Sequence, residues 1–473
     1  MLYFGCQLRA YKIQEGTKII IMEDFRNELE ELLARVKNEN ARLCASLCDE
    51  VYLTDYNPRG NIWTDALQSA LDEHERVIIP PSSEPYIIDN SIIVPSGRHI
   101  IALDGATIRL FDGVRVLMMR NSNTSDGTHL PISTPRNENI TIEGGVWEDW
   151  CTRRLGYGNS GMYDTERSFF GVSTYMLLEN IDHLTLRNMT FKNCGGFAVQ
   201  IGEASNIVIE KIRFIDCFAD GLHINGNVES IYISDVSGEV GDDLVAFNMF
   251  DWQDSSINFG PCKNVICEGL ELSPQSHYKA LRIEPGVYTF DNGESVDCSL
   301  TNAIFRRVSG INTFKLYCQT PPYSPKAEPE RAGVGSGDNI LFEDIKIDLD
   351  TPIDKLDEYM NSDPIKGTFA GFELGLNAKR IYLKNISIVL HRDKYPLSYL
   401  VCIGPKSARF SDGVEVFDPY FSSRVDELYL EGITINGERP SDITPYLKEI
   451  EFDHLYDDIP STGCGKFGKI IYK

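Results

Sequence analysis

The sequence contains no run of 18 or more apolar residues, no CxxC pair and no excess of positive charge. Without a long apolar run, no transmembrane helix is expected. Lys and Arg number 45 against 70 Asp and Glu, and the formal net charge of -25 argues against nucleic acid or an anionic membrane as a partner. The twelve cysteines lack the compact spacing of a disulfide framework or a zinc site. No metal or other cofactor is therefore expected.

The amino terminus is a poor signal peptide, because it lacks a basic segment followed by a continuous apolar stretch and a small-residue cleavage site. Cys194 and Cys217 lie 23 residues apart, which favours two stacked internal thiols over a bridge. We therefore expect a cytoplasmic location, with the periplasm as the alternative. Residues 1–21 are interpreted as an extension outside the folded core.

A repeat of about 23 residues runs through most of the chain. Polar turns separate segments in which every second residue is apolar, as in NIDHLTLRNMTF from Asn180 and ASNIVIEKIRFI from Ala204. The equivalent residues Leu184, Ile207 and Ile231 are 23 and 24 positions apart. Period-2 alternation is typical of strands with one buried face. Several short strands per repeat, without an intervening helix, predict a right-handed parallel β-helix of the all-β class.

Apolar spacing near the amino terminus indicates two helices. Residues 23–48 place apolar side chains on one helical face, and residues 61–74 offer Thr64 as an N-cap. These helices are expected to cap the first coil, because the open end of a solenoid exposes unpaired strand edges. The predicted organisation is a helical cap region over 22–76, one β-helix domain over 77–440 and an irregular carboxy-terminal cap over 441–473.

One outward-facing row of side chains is unusually varied. Counting alternate residues along one strand per coil places acids, bases and aromatics together on the outer face. The row is expected to contain Gln200, His223, Ala246, Arg282, Lys315 and Glu373. A second row beside it is expected to contain Asn225, Asn248, Glu284 and Tyr317. A merely solvated face would favour Ser, Thr and Asn ladders. The variety predicts a substrate groove, which the insertion at 149–172 is expected to border.

Three aspartates lie where the chain enters two successive strands of this row. Asp220 precedes Gly221, and Gly241 precedes Asp242 and Asp243, which puts Asp243 23 residues after Asp220. One coil of separation stacks residues about 4.8 Å apart, so the carboxylates are expected to converge. A bulge or bend must bring Asp242 and Asp243 to the same face, since successive strand residues point to opposite sides.

A cluster of carboxyl groups suits glycoside hydrolysis. That reaction needs one carboxylic acid to protonate the leaving oxygen and one carboxylate to attack or to activate water. Carboxylates in close contact cannot all ionise freely, so the pKa of one should rise. The predicted catalytic residues are therefore Asp220, Asp242 and Asp243.

The segments FADGLHI, GDDLVAFN, KALRIE and TFKLY resemble the NTD, GDD, GHG and RIK signature strands of glycoside hydrolase family 28, the polygalacturonase family of the pectin-lyase-like β-helices. The resemblance implies that Asp242 donates the proton, while Asp220 and Asp243 hold and activate water for inversion. It also implies that basic residues of the third and fourth strands hold a substrate carboxylate.

The basic residues depart from the family pattern. Lys279, with His277 two residues before it, falls near the position of the family's His. The Lys of the fourth strand remains as Lys315, but its Arg is absent, and Arg282 from the adjacent coil is interpreted as the substitute. The further predicted substrate-binding residues are Gln200, His223, Asn248, Trp252, Glu284, Tyr317 and Glu373. Of these, Trp252 and Tyr317 are candidates for stacking on a sugar ring, and His223 is either a catalytic assistant or a stacking residue.

The predicted function is that of an exo-acting, inverting glycosidase on an oligosaccharide or polysaccharide that includes a uronic acid. Large insertions beside the groove would block an open cleft and favour attack at a chain end. One alternative is a polysaccharide lyase or sugar epimerase on the same scaffold, and another is a non-catalytic glycan-binding β-helix. The oligomeric state stays open.

Overall fold

Parallel strands form most of the regular structure. The computed structural model describes residues 10–11, 17–124, 135–155, 174–251, 256–276, 278–290, 292–317, 332–349, 369–404, 408–411, 414–417, 422–450, 454–456, 459–461 and 464–473. Within these ranges, 26 strands belong to one continuous sheet in which strands of successive coils pair in parallel. The right-handed parallel β-helix predicted from the repeat is confirmed.

The longest strands form one ladder along the side of the solenoid, called here the helix-side ladder. It comprises Glu50–Tyr52, Arg76–Ile79, Arg98–Leu110, Asn137–Glu148, Thr174–Arg187, Phe197–Ile215, Val228–Gly238, Cys262–Leu272, Leu300–Ser309, Ser336–Asp348, Asn377–Val389, Ser423–Glu431, Gly465–Tyr472 and Ala10–Tyr11. Several of these strands turn a corner and continue into the neighbouring face.

A second ladder carries the predicted groove and is called the site ladder. It comprises Ile92–Val94, Met119–Asn121, Leu222–Asn225, Val245–Asn248, Ala280–Ile283, Thr313–Tyr317, Phe369–Gly375, Ser398–Ile403 and Leu447–Glu449, with the first halves of two longer strands. The remaining face is completed by Tyr86–Ile88, Thr190–Lys192 and Thr434–Ile435. Antiparallel strands outside the solenoid are Gly286–Thr289, Ser295–Cys298, Ala332–Val334, Ala408–Ser411, Val414–Phe417, His454–Tyr456 and Ile459–Ser461.

Asparagines shape one corner of the coils. Asn206, Asn264, Asn302 and Asn339 all have φ between 54° and 59°, the left-handed region that Asn tolerates better than most residues. The amides of the last three stack, since Nδ2 of Asn302 donates to Oδ1 of Asn264 and Nδ2 of Asn339 donates to Oδ1 of Asn302, both at 3.0 Å. These asparagines bend their coils at equivalent positions, and the stacked amides keep neighbouring coils in register.

The interior is a continuous stack of aliphatic and aromatic side chains. The predicted inward residues Leu184, Ile207 and Ile231 are fully buried in it. Cys194 and Cys217 are also buried there without a bridge, as their spacing predicted. Because each inward side chain contacts its equivalents one coil away, burial is shared along the whole solenoid.

Helix α1 spans Thr17–Ala45 and lies along the helix-side ladder, not over the end of the solenoid. Its buried face, including Phe25, Leu29 and Leu33, packs on outward apolar residues of successive coils, among them Val208 and Tyr382. The helix is about 43 Å long. This length is enough to cross the nine coils from His99 to Tyr382, whose first and last strands lie about 38 Å apart. The expectation that this helix caps the first coil is wrong, because its apolar stripe fits the outward row of the ladder.

Helix α2 spans Thr64–Glu73 and buries Leu67, Ala70 and Leu71 in the solenoid interior, next to the opening strands. The N-cap position is Trp63 and not Thr64. The Thr64 hydroxyl instead donates to Asp89 Oδ1 at 2.6 Å and accepts from the Asp89 amide, so it fastens the helix to a loop. A 3-10 turn at Leu53–Asp55 precedes α2, and another lies at Thr444–Tyr446.

The amino-terminal strand Ala10–Tyr11 pairs with the last strand of the chain, Ala10 opposite Ile470. No helix within the described ranges has the length and apolar character needed to span a lipid bilayer.

Candidate active site

The three predicted aspartates converge. Asp220, Asp242 and Asp243 are all buried, and one carboxyl oxygen from each lies within 4.8 Å of the others. The backbone bends at 241–244 before the strand Val245–Asn248 begins, which brings Asp242 and Asp243 to the same face. Gly241 permits the bend, because a Cβ there would lie 2.4 Å from the Phe218 carbonyl oxygen. The predicted convergence is confirmed.

His223 lies between two carboxylates beneath this cluster. Its Nδ1 is 2.6 Å from Asp220 Oδ2 and its Nε2 is 3.0 Å from Asp251 Oδ2, while its ring stacks on Phe197 at 3.9 Å. Burial lowers the pKa of His223, but the hydrogen bonds to Asp220 and Asp251 outweigh burial and raise the pKa to about 9. The imidazole is therefore a buried cation that fixes the orientation of Asp220.

Asp220 is anchored at both oxygens. Oδ2 contacts His223, and Oδ1 accepts a hydrogen bond of 3.1 Å from the backbone amide of Asp243. This bond joins the two acid-bearing turns directly. The carboxylate of Asp220 is thus held in one orientation before any ligand arrives.

Asp242 is paired with arginine. Nη1 of Arg154 donates to Asp242 Oδ2 at 2.7 Å, and Nη2 of Arg282 lies 3.6 Å from Oδ1. Arg154 lies at the start of the 149–172 segment, so the described part of that predicted border does reach the cluster. Residues 156–173 lie outside the described ranges.

Asp243 and Glu284 bury carboxyl groups whose oxygens have no hydrogen-bond partner among the described residues. Nε of Arg282 is 3.4 Å from Asp243 and 3.7 Å from Glu284. Burial raises the pKa of Asp243 well above its usual range, and Asp220 and Asp242 add to this rise against the attraction of Arg282. Burial raises the pKa of Glu284 in the same way. The guanidinium of Arg282 therefore lies between two acids whose pKa values are both raised.

A cationic patch borders the acids on the next two coils. Nη2 of Arg282 donates to the Tyr278 hydroxyl at 3.1 Å, and Nζ of Lys315 donates to the same oxygen at 2.9 Å. Arg282 and Lys315 stack in register on neighbouring strands and remain partly exposed. The patch places two positive charges where an anionic group of a ligand could bind.

The order of the predicted row is confirmed by the strand register. Gln200 pairs with His223, His223 with Ala246, Arg282 with Lys315 and Lys315 with Glu373. Phe247 pairs with Ile283, which brings Ala246 beside Arg282. Glu373 thus lies directly beside Lys315, one coil beyond the cationic patch.

Several predicted binding residues make hydrogen bonds with other residues of the chain. Gln200 donates to Asn225 Oδ1 at 2.7 Å, and Asn248 Nδ2 lies 3.4 Å from Asp251 Oδ2. Lys279 donates from Nζ to the Pro274 carbonyl oxygen at 3.0 Å. All three are buried, and Gln200 and Lys279 donate hydrogen bonds within the protein, whereas the amide oxygen of Asn248 has no hydrogen-bond partner among the described residues.

Tyr317, the predicted stacking residue beside Lys315, is also buried. Trp252 and His277 lie outside the described ranges.

The segment 256–261 closes the groove on one side of the acids. The Ile257 amide donates to Asn225 Oδ1 at 3.2 Å, and Asn258 Nδ2 donates to the Gly226 carbonyl oxygen at 2.6 Å. Ile257 also packs on Leu177 of the same outward row. The row is therefore covered on the coils before Asp220, while Arg282 and Lys315 stay accessible on the coils after Asp243.

Sequence reasoning missed Arg154, Tyr278 and Asp251. Tyr278 directly precedes Lys279, so the KALRIE strand carried a signal for it. Arg154 belongs to a segment without the repeat, and only its arginine content pointed to the acids. Asp251 follows the strand of the GDD segment by three residues, where its pairing with His223 depends on the fold.

The three aspartates form the one group among the described residues whose ligand atoms are close enough to share a metal ion. Arg282 already supplies positive charge within 3.6 Å of Asp242 and Asp243. A divalent cation would be repelled by that guanidinium, so the donor set fits a metal poorly.

Neither a family model nor a curated protein matches the chain. Among solved structures, the chain is similar to PfbA, a surface adhesin of Streptococcus pneumoniae, with 12% identity and a TM-score of 0.43 over 90% of this chain and 92% of that one. It is also similar to an endo-xylogalacturonan hydrolase from Aspergillus tubingensis, with 14% identity and a TM-score of 0.42 over 83% and 97%.

A third similar structure is the catalytic domain of an α-1,3-glucanase in complex with tetrasaccharides, with 11% identity and a TM-score of 0.39 over 84% of this chain and 67% of that one. Likenesses of this size establish neither a family nor an activity for the chain.

Proposed function

We propose that the chain is a glycoside hydrolase whose catalytic groups are Asp220, Asp242 and Asp243. The observation that carries the proposal is the convergence of these three carboxyl groups within 4.8 Å beside a partly exposed cationic patch. A structural role alone would pair each buried acid with donors. Asp243 instead has two oxygens without hydrogen bonds.

In this proposal the cluster enters the reaction with one proton, held on Asp243 by burial and by its acidic neighbours. Asp220, oriented by His223, and Asp242, paired with Arg154, act as the carboxylates that position and deprotonate water. This exchanges the roles that the family resemblance implies for Asp242 and Asp243. The raised pKa of Asp243 supports the exchange.

The proposed substrate is an oligosaccharide or polysaccharide that carries a uronic acid. Arg282 and Lys315 converge on the Tyr278 hydroxyl and offer two cations to a sugar carboxylate. Such charge-assisted hydrogen bonds are roughly twice as strong as neutral ones. Nothing in the patch distinguishes one uronic acid from another.

Exo action is proposed from the closed side of the groove. The segment 256–261 covers the coils before Asp220, so a long glycan could extend from the acids in one direction only. Inversion is proposed from the family resemblance and not from the spacing, since inverting carboxyl pairs are commonly about 6.5–9.5 Å apart. Proton NMR of the first-formed product would establish the stereochemistry.

The principal test is hydrolysis of a panel of uronide and neutral glycosides by the wild-type chain, with Asp242→Asn as the blank. New reducing ends without absorbance from an unsaturated uronate would support hydrolysis. Asp235→Asn is the matched control, because Asp235 is an exposed corner residue with φ of 55° that Asn adopts readily. Failure of wild type on every glycan, with retained binding, would favour a binding module.

The roles of the two adjacent aspartates can be separated with leaving groups. A dinitrophenyl glycoside needs little protonation, so it should restore turnover to the variant that lacks the general acid. We expect rescue of Asp243→Asn and not of Asp242→Asn. The reverse pattern would return the acid role to Asp242.

The lyase alternative predicts different products. An absorbing unsaturated uronate that disappears with a chelator would show β-elimination with a cation at the aspartates. That result would replace the hydrolase proposal.

A further inference from the structure

A second cluster of reactive side chains lies where α1 ends against the helix-side ladder. Sγ of Cys44 is 3.3 Å from Nδ1 of His99, and Nε2 of His99 is 3.3 Å from Oε2 of Glu143. Nη2 of Arg187 donates to the same Glu143 oxygen at 2.7 Å. None of these residues takes part in the proposed hydrolase site.

The cluster favours a thiolate on Cys44. Hydrogen bonds from His99 and Arg187 lower the pKa of Glu143 to about 2, which keeps a negative charge beside the imidazole. Burial lowers the pKa of His99, but its contacts with Cys44 and Glu143 outweigh burial and raise it. Burial raises the pKa of the Cys44 thiol, but His99 and Thr141 outweigh burial and lower it.

Other buried thiols of the chain lack such a partner. Burial raises the pKa of Cys262 and Cys267, and no histidine contacts either sulfur within the described ranges. Cys44 therefore differs from these thiols in its contact with His99 and in being slightly exposed, at 9% against 0%.

Access limits what Cys44 can react with. Cys44 is buried, with 9% of its residue surface exposed, which favours a small oxidant over an ester or peptide as the reacting partner. A molecule the size of hydrogen peroxide needs only a small opening. We propose that Cys44, activated by His99, is a peroxide-sensitive modification site that is oxidised to a sulfenic acid.

The reaction balances with groups already in place. The Cys44 thiolate attacks one peroxide oxygen, an S–O bond forms and the O–O bond breaks. Hydroxide leaves and takes the proton of the His99 imidazolium to become water. The sulfur is oxidised by two electrons and the peroxide is reduced.

Cys48 provides an internal comparison four residues further along the chain. It is exposed, and its Sγ contacts the Ser46 carbonyl oxygen and no histidine. If accessibility controlled reactivity, Cys48 would react first with every reagent. If the His99 contact controls it, Cys44 reacts first with peroxide, while a bulky maleimide still labels Cys48 first.

The experiment treats the full chain with hydrogen peroxide, traps sulfenic acid with dimedone and locates it by fragmentation of the tryptic peptide that follows Arg42. We expect labelling of Cys44 to be several-fold faster than that of Cys48, because the thiolate is the reacting form and His99 stabilises it at Cys44. A disulfide between the two cysteines can start from oxidation of either sulfur. The single variants separate the two cases, since sulfenic acid should accumulate in Cys48→Ser and not in Cys44→Ser.

His99→Gln should remove the advantage of Cys44 and leave Cys48 unchanged. If that variant does not fold, Glu143→Gln keeps the imidazole and should give a smaller loss. Equal labelling of both cysteines in wild type, or preference for Cys48, would overturn the proposal. Neither result bears on the hydrolase proposal, because the two clusters share no residue.

Discussion

Two outward rows of side chains run along the same solenoid and use charge in opposite ways. On the helix-side ladder, the strand register stacks residues whose charges alternate in sign except at one serine: Glu143, Arg187, Glu210, Ser234, Glu268, Arg306, Glu343, Lys384 and Glu431. Opposite charges on neighbouring strands stabilise a sheet by roughly 0.2–1 kcal/mol per pair. In this row each of the three bases lies between two acids on the neighbouring coils.

The site ladder does the reverse. Arg282 and Lys315 are adjacent cations, and three aspartates and Glu284 crowd against them. Glu268 shows the contrast, because its carboxylate contacts Tyr232, Arg306 and Arg307 and its pKa is lowered despite burial. Both rows bury acids. On the site ladder, both oxygens of Asp243 and of Glu284 lack a hydrogen bond to any described residue, whereas Glu268 on the helix-side ladder is paired. This concentration of acids without hydrogen bonds separates the candidate site from the structural row.

The largest expected effect is on activity. Asparagine at Asp220, Asp242 or Asp243 should lower kcat/KM by about 10²–10⁴-fold, the usual contribution of an acid or base group. Glu268→Gln, a matched removal of a buried charge from the other row, should leave kcat/KM within about twofold of wild type. The measurement is the initial rate on the best substrate of the glycoside panel, with folding checked by circular dichroism. An equal loss of kcat/KM in Glu268→Gln and in the aspartate variants would contradict the assignment of a catalytic role to the site ladder alone.

Stability should change in opposite directions in the two rows. Glu268→Gln removes one of the two carboxylates that contact Arg306, the other being Glu30, and should lower the free energy of unfolding by about 2 kcal/mol. Asp243→Asn removes a buried acid without hydrogen bonds and should raise it by about 1 kcal/mol. Urea unfolding at neutral pH measures both changes. A marked loss of stability in Asp243→Asn would mean that this carboxyl group is structural.

Stability should also depend on pH through His223. Its pKa in the folded protein, about 9, lies above the ordinary value near 6.5, so the folded state binds the proton more tightly. The stabilisation is complete below about pH 6.5 and is lost as the pH rises toward 9, by at most about 3 kcal/mol. Unfolding titrations of wild type and His223→Gln should show this slope only in wild type. Matching slopes would remove His223 as its source.

The smallest predicted effect concerns specificity. Arg282→Met or Lys315→Met should raise KM for a uronide by about tenfold, since each removes one charge-assisted hydrogen bond to the sugar carboxylate. KM for the corresponding neutral glycoside should stay nearly constant, and Lys279→Met serves as a control because Lys279 donates to a backbone carbonyl. Equal effects on both substrates would remove the carboxylate as the ligand of the patch.

The repeat predicted most of the fold and the core of the site. Leu184, Ile207 and Ile231 gave the coil length, and that length placed Asp220 beside Asp243 before any coordinates. Strand alternation then ordered His223, Arg282 and Lys315 along one row. These inferences succeeded because a solenoid makes distance in space a simple function of distance in sequence.

The failures occur where this rule does not apply. The sequence of an amphipathic helix predicts its apolar face but not the surface on which that face packs. For this reason the expected position of α1, at the end of the solenoid, was wrong. Arg154 reaches Asp242 from a segment without the repeat. Thr64 has the side chain of an N-cap, but its hydroxyl is bound to Asp89. In each case a contact between distant parts of the chain decides the outcome.

The course of α1 along the solenoid has a mechanical consequence. Stacked coils ordinarily peel away one at a time from a free end, since each contacts only its neighbours. Helix α1 packs across the coils from His99 to Tyr382, so none of these coils can separate from its neighbours without also losing its contacts with α1. The central coils should therefore melt as one cooperative unit, and the acid cluster within them should resist local fraying.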